Sequence, residues 1–139
     1  MIKRIHHIGI AVKCLNEMIC LFRDALEFEL VQTIDRPGFK AALLPIGGVL
    51  IELIEPDDQP QNRPSEILSK LVKDQGGGVH HIAFEVDDIQ VELAVLREKG
   101  ISTIDDFPLE QIGGKVAWLQ EDSVTGMLIE LCEEGYRVS

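Results

Sequence analysis

The chain has 139 residues, 45% of them hydrophobic, which suits one ordinary domain with a sizeable core. Its formal net charge of −11 disfavours nucleic acid and anionic membranes as partners, and would not draw in a polyanionic substrate without a local basic patch. Three cysteines (Cys14, Cys20, Cys132) with no C-x-x-C argue against a disulfide framework; no apolar run approaches the ~20 residues of a membrane helix and no N-terminal stretch reads as a signal peptide, so a cytoplasmic protein is expected.

Residues 4–12 read as a strand, apolar and extended. Leu15, Met18, Ile19, Phe22 and Leu26 carry a helical period and predict a helix over 15–26. Strands are expected at 28–35, 39–45 and 49–55, with Pro37-Gly38 and Gly47-Gly48 as the turns between them. The polar, Pro-rich "EPDDQPQNRP" leads into a short helix, "SEILSKLVKD", with Ser65 as its cap and the glycines at 76–78 as its end. A second series follows: a strand at 79–86, a helix from Asp87 or Asp88 to Lys99 closed by Gly100, and strands at 101–104, 115–120 and 127–133. The expected fold class is therefore α+β, one domain over 1–139. Its two βαβββ modules cover 1–56 and 79–134, joined by a linker over 57–78.

The two series echo each other in residues as well as in order. An offset of 74 superposes His6 on His80, His7 on His81, Ile8 on Ile82, Val12 on Val86 and Arg23 on Arg97. A second echo sets "LIELIE" at 50–55 against "LIELCE" at 128–133. Each module thus opens on a His-His strand and closes on a Leu-Ile-Glu-Leu strand, the pattern of an internal duplication.

Strand side chains alternate between two faces. His7, Gly9 and Ala11 share one, as do His81, Ala83 and Glu85, and the larger apolar residues occupy the other. Glu52 stands with Leu50 and Ile54, and Glu130 with Leu128 and Cys132. Taken singly, a strand histidine is ordinarily a hydrogen-bonded structural residue, as His6 and His80 are expected to be. A glutamate in an apolar strand is ordinarily edge-exposed or paired. The joint repetition points further. If the modules pack about a pseudo-twofold axis, His7, Glu52, His81 and Glu130 meet, and two imidazoles with two carboxylates suit one divalent ion per chain: Zn²⁺, Co²⁺, Ni²⁺ or Mn²⁺. Cys132 is expected to be a small buried filler.

At these residues the sequence resembles the vicinal oxygen chelate superfamily, the glyoxalase/bleomycin-resistance/dioxygenase fold. Within it the chain looks most like the methylmalonyl-CoA epimerase family, through "HHIGIAV", "LPIGGVLIELIEP", "GGGVHHIAFEVDDI" and "GMLIELCE". The resemblance implies two βαβββ modules forming a cupped, barrel-like mixed sheet around a metal held by His7, Glu52, His81 and Glu130. It implies a small-molecule substrate, an acyl-CoA or a thiol adduct, and a homodimer. The implied chemistry is proton transfer next to a carbonyl, with Glu130 as the base and Glu52 as the opposed carboxylate. Some epimerases carry Gln at the second ligand, whereas many glyoxalase I enzymes carry Glu, as this chain does at Glu52.

Two departures stand beside the resemblance. Where some epimerases have a second catalytic Glu before "LP", this chain has Lys40; where they have "HPK", it has Gln120-Glu121-Asp122. Lys40 and the "GGK" of Gly113, Gly114 and Lys115 are candidate contacts to an acyl or phosphate group, the latter reading equally as a hairpin turn. The function implied first is epimerisation of a 2-substituted acyl-CoA. The alternative is a glyoxalase I-type lyase on a hemithioacetal. An extradiol dioxygenase, which uses Fe²⁺ on two His and one carboxylate, is disfavoured by a fourth ligand. A drug-sequestering module is disfavoured by the full ligand set.

Overall fold

Two compact units divide the chain, one spanning His7–His80 and the other Met1–His6 together with His81–Ser139. The structure, a computed structural model of the chain, describes residues 1–120 and 127–138. Among these residues no helix is long and apolar enough to cross a membrane.

In the first unit, β1 (Ile2–Ala11) leads to α1 (Leu15–Cys20), then β2 (Gln32–Arg36), β3 (Phe39–Ile46), β4 (Val49–Pro56) and α2 (Arg63–Gln75). The strands run in the order β2-β3-β4-β1. β1 pairs with β4 in parallel, and β3 pairs antiparallel with both β4 and β2. One face of this sheet packs on α1: Ala42, Leu44, Leu53 and Val12 bury against Leu15 and Ile19, with Met18, Phe22 and Ile51 at the margin. Residues of the opposite parity, Glu52 and Leu43 among them, are thereby turned to the other face.

The helix expected over 15–26 is α-helical only to Cys20; Leu21–Ala25 form a π turn, with Leu26 N–H donating to Leu21 O at 3.0 Å. Glu27 then takes a positive φ of 62°. The linker helix starts earlier than expected. Asn62 is its N-cap and accepts from Ser65 N–H, while the Ser65 hydroxyl accepts from Asn62 N–H at 3.0 Å, so Ser65 reciprocates the cap rather than being it. Gly76, at φ 78°, ends the helix.

The second unit repeats the plan: β5 (Gly78–Val86, with His81 onward in this unit), α3 (Ile89–Glu98), β6 (Glu110–Gln111), β7 (Gly114–Trp118) and β8 (Leu128–Glu133). The strand order is β5-β8-β7-β6, β5 pairing β8 in parallel and β7 pairing antiparallel with β8 and β6. Val86, Ile89, Leu93, Ala117 and Leu131 form the core under α3. The strand expected at 101–104 is a single bridge, Thr103 to Leu119, and its place in the plan is taken by the short β6. Met1–His6 are tied into this unit: Arg4 pairs with Glu85 at 3.2 Å, Lys3 with Asp87 and Glu134, and His6 Nε2 bonds Tyr136 O at 2.9 Å.

Candidate active site

Glu52 lies in the middle of β4, directly across from Leu43 of β3 and beside Gly9 of β1. The apolar residues on either side of it in sequence, Ile51 and Leu53, belong to the α1-facing core. Strand parity therefore forces the carboxylate onto the other face, with His7 and Ala11 of β1. Glu52 is 5% exposed and His7 1%, and the imidazole Nε2 stands 3.7 Å from a Glu52 oxygen. A buried carboxylate costs several kcal/mol, roughly, unless a partner answers it; in this unit the partner is an imidazole, itself a metal-ligand type.

The second unit presents the same pair with different neighbours. His81 is 3% exposed and Glu130 4%, and one ligand atom of each lies within 4.8 Å of the other. Across from Glu130 on β7 stands Trp118, not a leucine. Its indole meets the His81 ring T-shaped, centroids 4.8 Å apart, and Phe107 meets the indole in turn at 5.8 Å. Burial pushes the His81 imidazole down to about 3, so it is neutral, the form that binds a metal, over the whole ordinary pH range. Cys132 is fully buried with Ala83 and Val116. Burial, with the Glu130 and Glu85 carboxylates adding to it, pushes its thiol up to about 12, which leaves it an inert filler.

A second glutamate repeats three residues beyond each of these. Glu55 accepts from Leu15 N–H at 2.9 Å, and Glu133 accepts from Ile89 N–H at 3.1 Å. Each last strand thus caps its own unit's helix from the face opposite Glu52 or Glu130. "LIELIE" and "LIELCE" carried this signal in their final letter. Trp118 had no echo to flag it, because its equivalent in the first unit is Leu43.

The candidate substrate contacts fall elsewhere. Lys40 stands across from Glu55 in the β3–β4 register, on the helix-side face and away from Glu52. Lys115 neighbours Ala117 at strand parity and lies 4.0 Å from Glu133, again away from the Glu130 face. Both lysines serve the capping glutamates' face, and neither shares a face with the buried His-Glu pairs. Gly113 lies in the turn between β6 and β7 and Gly114 opens β7; a Cβ on Gly113 would collide with Arg137 O, so close backbone packing explains its size. Gln120 donates its backbone N–H to Ser102 O, while Glu121 and Asp122 lie outside the described residues. His6 and His80 are buried, bonded to Tyr136 O and Pro64 O, the structural role expected of them.

The profile of the Glyoxalase/Bleomycin resistance protein/Dioxygenase superfamily matches residues 6–118. An ethylmalonyl-CoA/methylmalonyl-CoA epimerase of Cereibacter sphaeroides is 30% identical over 135 residues, 94% of this chain and 98% of that protein. Among solved structures, methylmalonyl-CoA epimerase from Mycobacterium tuberculosis superposes with a TM-score of 0.82 at 26% identity, covering 95% of this chain and 88% of that one. A Streptomyces coelicolor methylmalonyl-CoA epimerase variant in complex with 2-nitronate-propionyl-CoA superposes at 0.80 with 30% identity, covering 96% and 98%. These likenesses make the chain an enzyme of the epimerase/isomerase kind with the glyoxalase-like α+β fold. By profile, sequence and fold alike, it belongs to the glyoxalase/bleomycin resistance/dioxygenase superfamily.

Proposed function

We propose that this enzyme is a divalent-metal-dependent epimerase of 2-substituted acyl-CoA thioesters, methylmalonyl-CoA or a near homologue. The observation that carries the reading is the repeated half-site: one buried imidazole and one buried carboxylate at equivalent strand positions in each unit. The donor set fits a borderline divalent cation, since two imidazoles and two carboxylates are hard-to-intermediate ligands. His81 is held neutral and so ready to bind. His7, Glu52, His81 and Glu130 would hold the ion. Bound there, it would supply Lewis-acid stabilisation of negative charge on the thioester oxygen.

The chain's own residues do the rest. Glu130 takes the proton from C2 on one face, as a general base. Glu52, entering the step as the carboxylic acid, gives its proton to the opposite face, which inverts the centre and leaves Glu130 protonated and Glu52 ionised, the state that starts the reverse epimerisation. Apolar neighbours, Leu43 and Ile54 beside Glu52 and Leu128 beside Glu130, keep bulk water from both carboxylates. The likeness to acyl-CoA epimerases over nearly the whole chain supports this assignment.

A second reading, a lyase acting on a hemithioacetal, is favoured by one specific feature. The face that β3 shares with Glu52 carries Ala41 and Leu43, and no carboxylate. Position 52 is also a glutamate where some epimerases carry Gln, the ligand the resemblance associates with many glyoxalase I enzymes. Deuterium incorporation at C2 of methylmalonyl-CoA in D₂O, run beside turnover of the methylglyoxal–glutathione adduct, separates the two. The expected result is rapid exchange with methylmalonyl-CoA, lost by about 10²–10⁴-fold in Glu130→Gln, with no lyase activity. Lyase activity without exchange overturns the epimerase reading.

A further inference from the structure

We propose that Trp118 is a positioning residue of the second half-site, fixing the ring plane of His81 and walling the side of Glu130. The inference rests on the metal-binding reading above. Trp118 touches or borders both second-unit donors: its indole meets the His81 imidazole at 4.8 Å and 77°, and its backbone pairs in register with Glu130. It is itself firmly held. Phe107 packs T-shaped on the indole, and Ile104 N–H donates to Trp118 O at 2.9 Å.

A strand-borne imidazole has two side-chain torsions, and the outer one is broad. A planar ring set nearly at right angles against it narrows that freedom and fixes which way the ring nitrogens point. In the first unit the equivalent residue is Leu43, and there His7 stands 3.7 Å from the Glu52 carboxylate instead. The aromatic wall is therefore a feature of the second half-site, where the first has a leucine. Groups that orient a metal-binding histidine affect affinity even though they never touch the ion.

Trp118 is the only tryptophan in the chain, so it reports on its own surroundings. The test titrates the full-length protein, wild type and the Trp118→Phe and Trp118→Leu variants, with Co²⁺. Wild-type tryptophan emission is expected to be quenched saturably by the open-shell ion. Chelator competition should show Trp118→Leu binding Co²⁺ roughly tenfold more weakly, with a changed visible d–d band. Trp118→Phe, which keeps an aromatic wall, should restore both. A Trp118→Leu variant that binds Co²⁺ as tightly as wild type and with the same d–d band overturns the inference alone. If Trp118→Leu does not fold, the wild type decides: Co²⁺ binding without quenching overturns the inference. A wild type that binds no Co²⁺ overturns the metal reading and this inference with it.

Discussion

The two modules share a strand order, a buried His-Glu pair and a capping glutamate, yet they differ in what surrounds each. In the first, Glu52 faces Leu43 and His7 lies close to the carboxylate. In the second, Glu130 faces Trp118 and His81 packs against the indole. The helices differ as well. α3 is regular from Ile89 to Glu98, whereas α1 passes into a π turn. The buried His-Glu pair and the glutamate at the helix start recur at equivalent strand positions, while the packing around them differs.

The largest expected effect is an acid sensitivity carried by the buried His81 of the second module. The free imidazole titrates near 6.5, and in the fold burial holds His81 at about 3. Between those values the unfolded chain binds a proton that the folded chain does not, so stability falls as pH falls. The contribution is complete above about pH 6.5 and is lost downward at about 1.4 kcal/mol per pH unit. Urea unfolding of the metal-free protein across that window should show the slope, and His81→Asn should flatten it. An equal slope in His81→Asn would mean that other groups carry the acid sensitivity and that the aromatic-walled histidine is no special liability.

The capping glutamates offer a milder contrast. At α1 the N-cap is Cys14, with no side-chain bond, so Glu55 is the acceptor that reaches Leu15 N–H. At α3 the N-cap Asp88 already accepts from Gln90 and Val91 N–H, and Glu133 adds the bond to Ile89. Losing a cap costs about 0.5–2 kcal/mol. Glu55→Ala should fall toward the upper end of that range and Glu133→Ala toward the lower, read as the difference in chemical-unfolding midpoints. Equal losses would show that the two glutamates contribute as strand residues rather than as caps.

The sequence carried the duplication, the order of the main elements and the parity that singled out the buried pairs, because these depend on local alternation and on an echo at constant offset. The placement of Lys40 depends on something else, the register of a hairpin. It was in fact readable: a two-residue Gly47-Gly48 turn sets Ile46 against Val49, and counting outward sets Lys40 against Glu55. Lys115 admits no such count, because the connection between β7 and β8 is long and leaves register open. β6 was invisible because Glu110 and Gln111 are two polar residues with no hydrophobic alternation. The contact between Trp118 and His81 joins separate strands, and neither residue's own neighbours in sequence announce it.

The π turn was hidden for a different reason: an apolar period of three and four passes through α- and π-geometry alike. Its origin is legible in the comparison of modules. Arg23 and Arg97 align at an offset of 74, but the residues of positive φ that end the two helices, Glu27 and Gly100, align at 73. The first module holds one extra residue between these points, and a π turn is how a helix absorbs one. The closing bonds agree, since Phe28 N–H reaches six residues back to Phe22 O and Ile101 N–H five back to Leu96 O. Glu27 therefore occupies a left-handed position that its counterpart fills with glycine. That conformation costs an L-residue about 1–2 kcal/mol, part of which glycine returns through its greater entropy when unfolded. Glu27→Gly should accordingly stabilise the protein by about 0.5–1 kcal/mol, while Gly100→Ala, at φ 82°, should destabilise it by about 1 kcal/mol. Matched thermal and urea unfolding of the two variants checks both signs. A Glu27→Gly protein no more stable than wild type would show that the glutamate side chain contributes contacts that offset its strained backbone, and that the two helix ends are not equivalent after all.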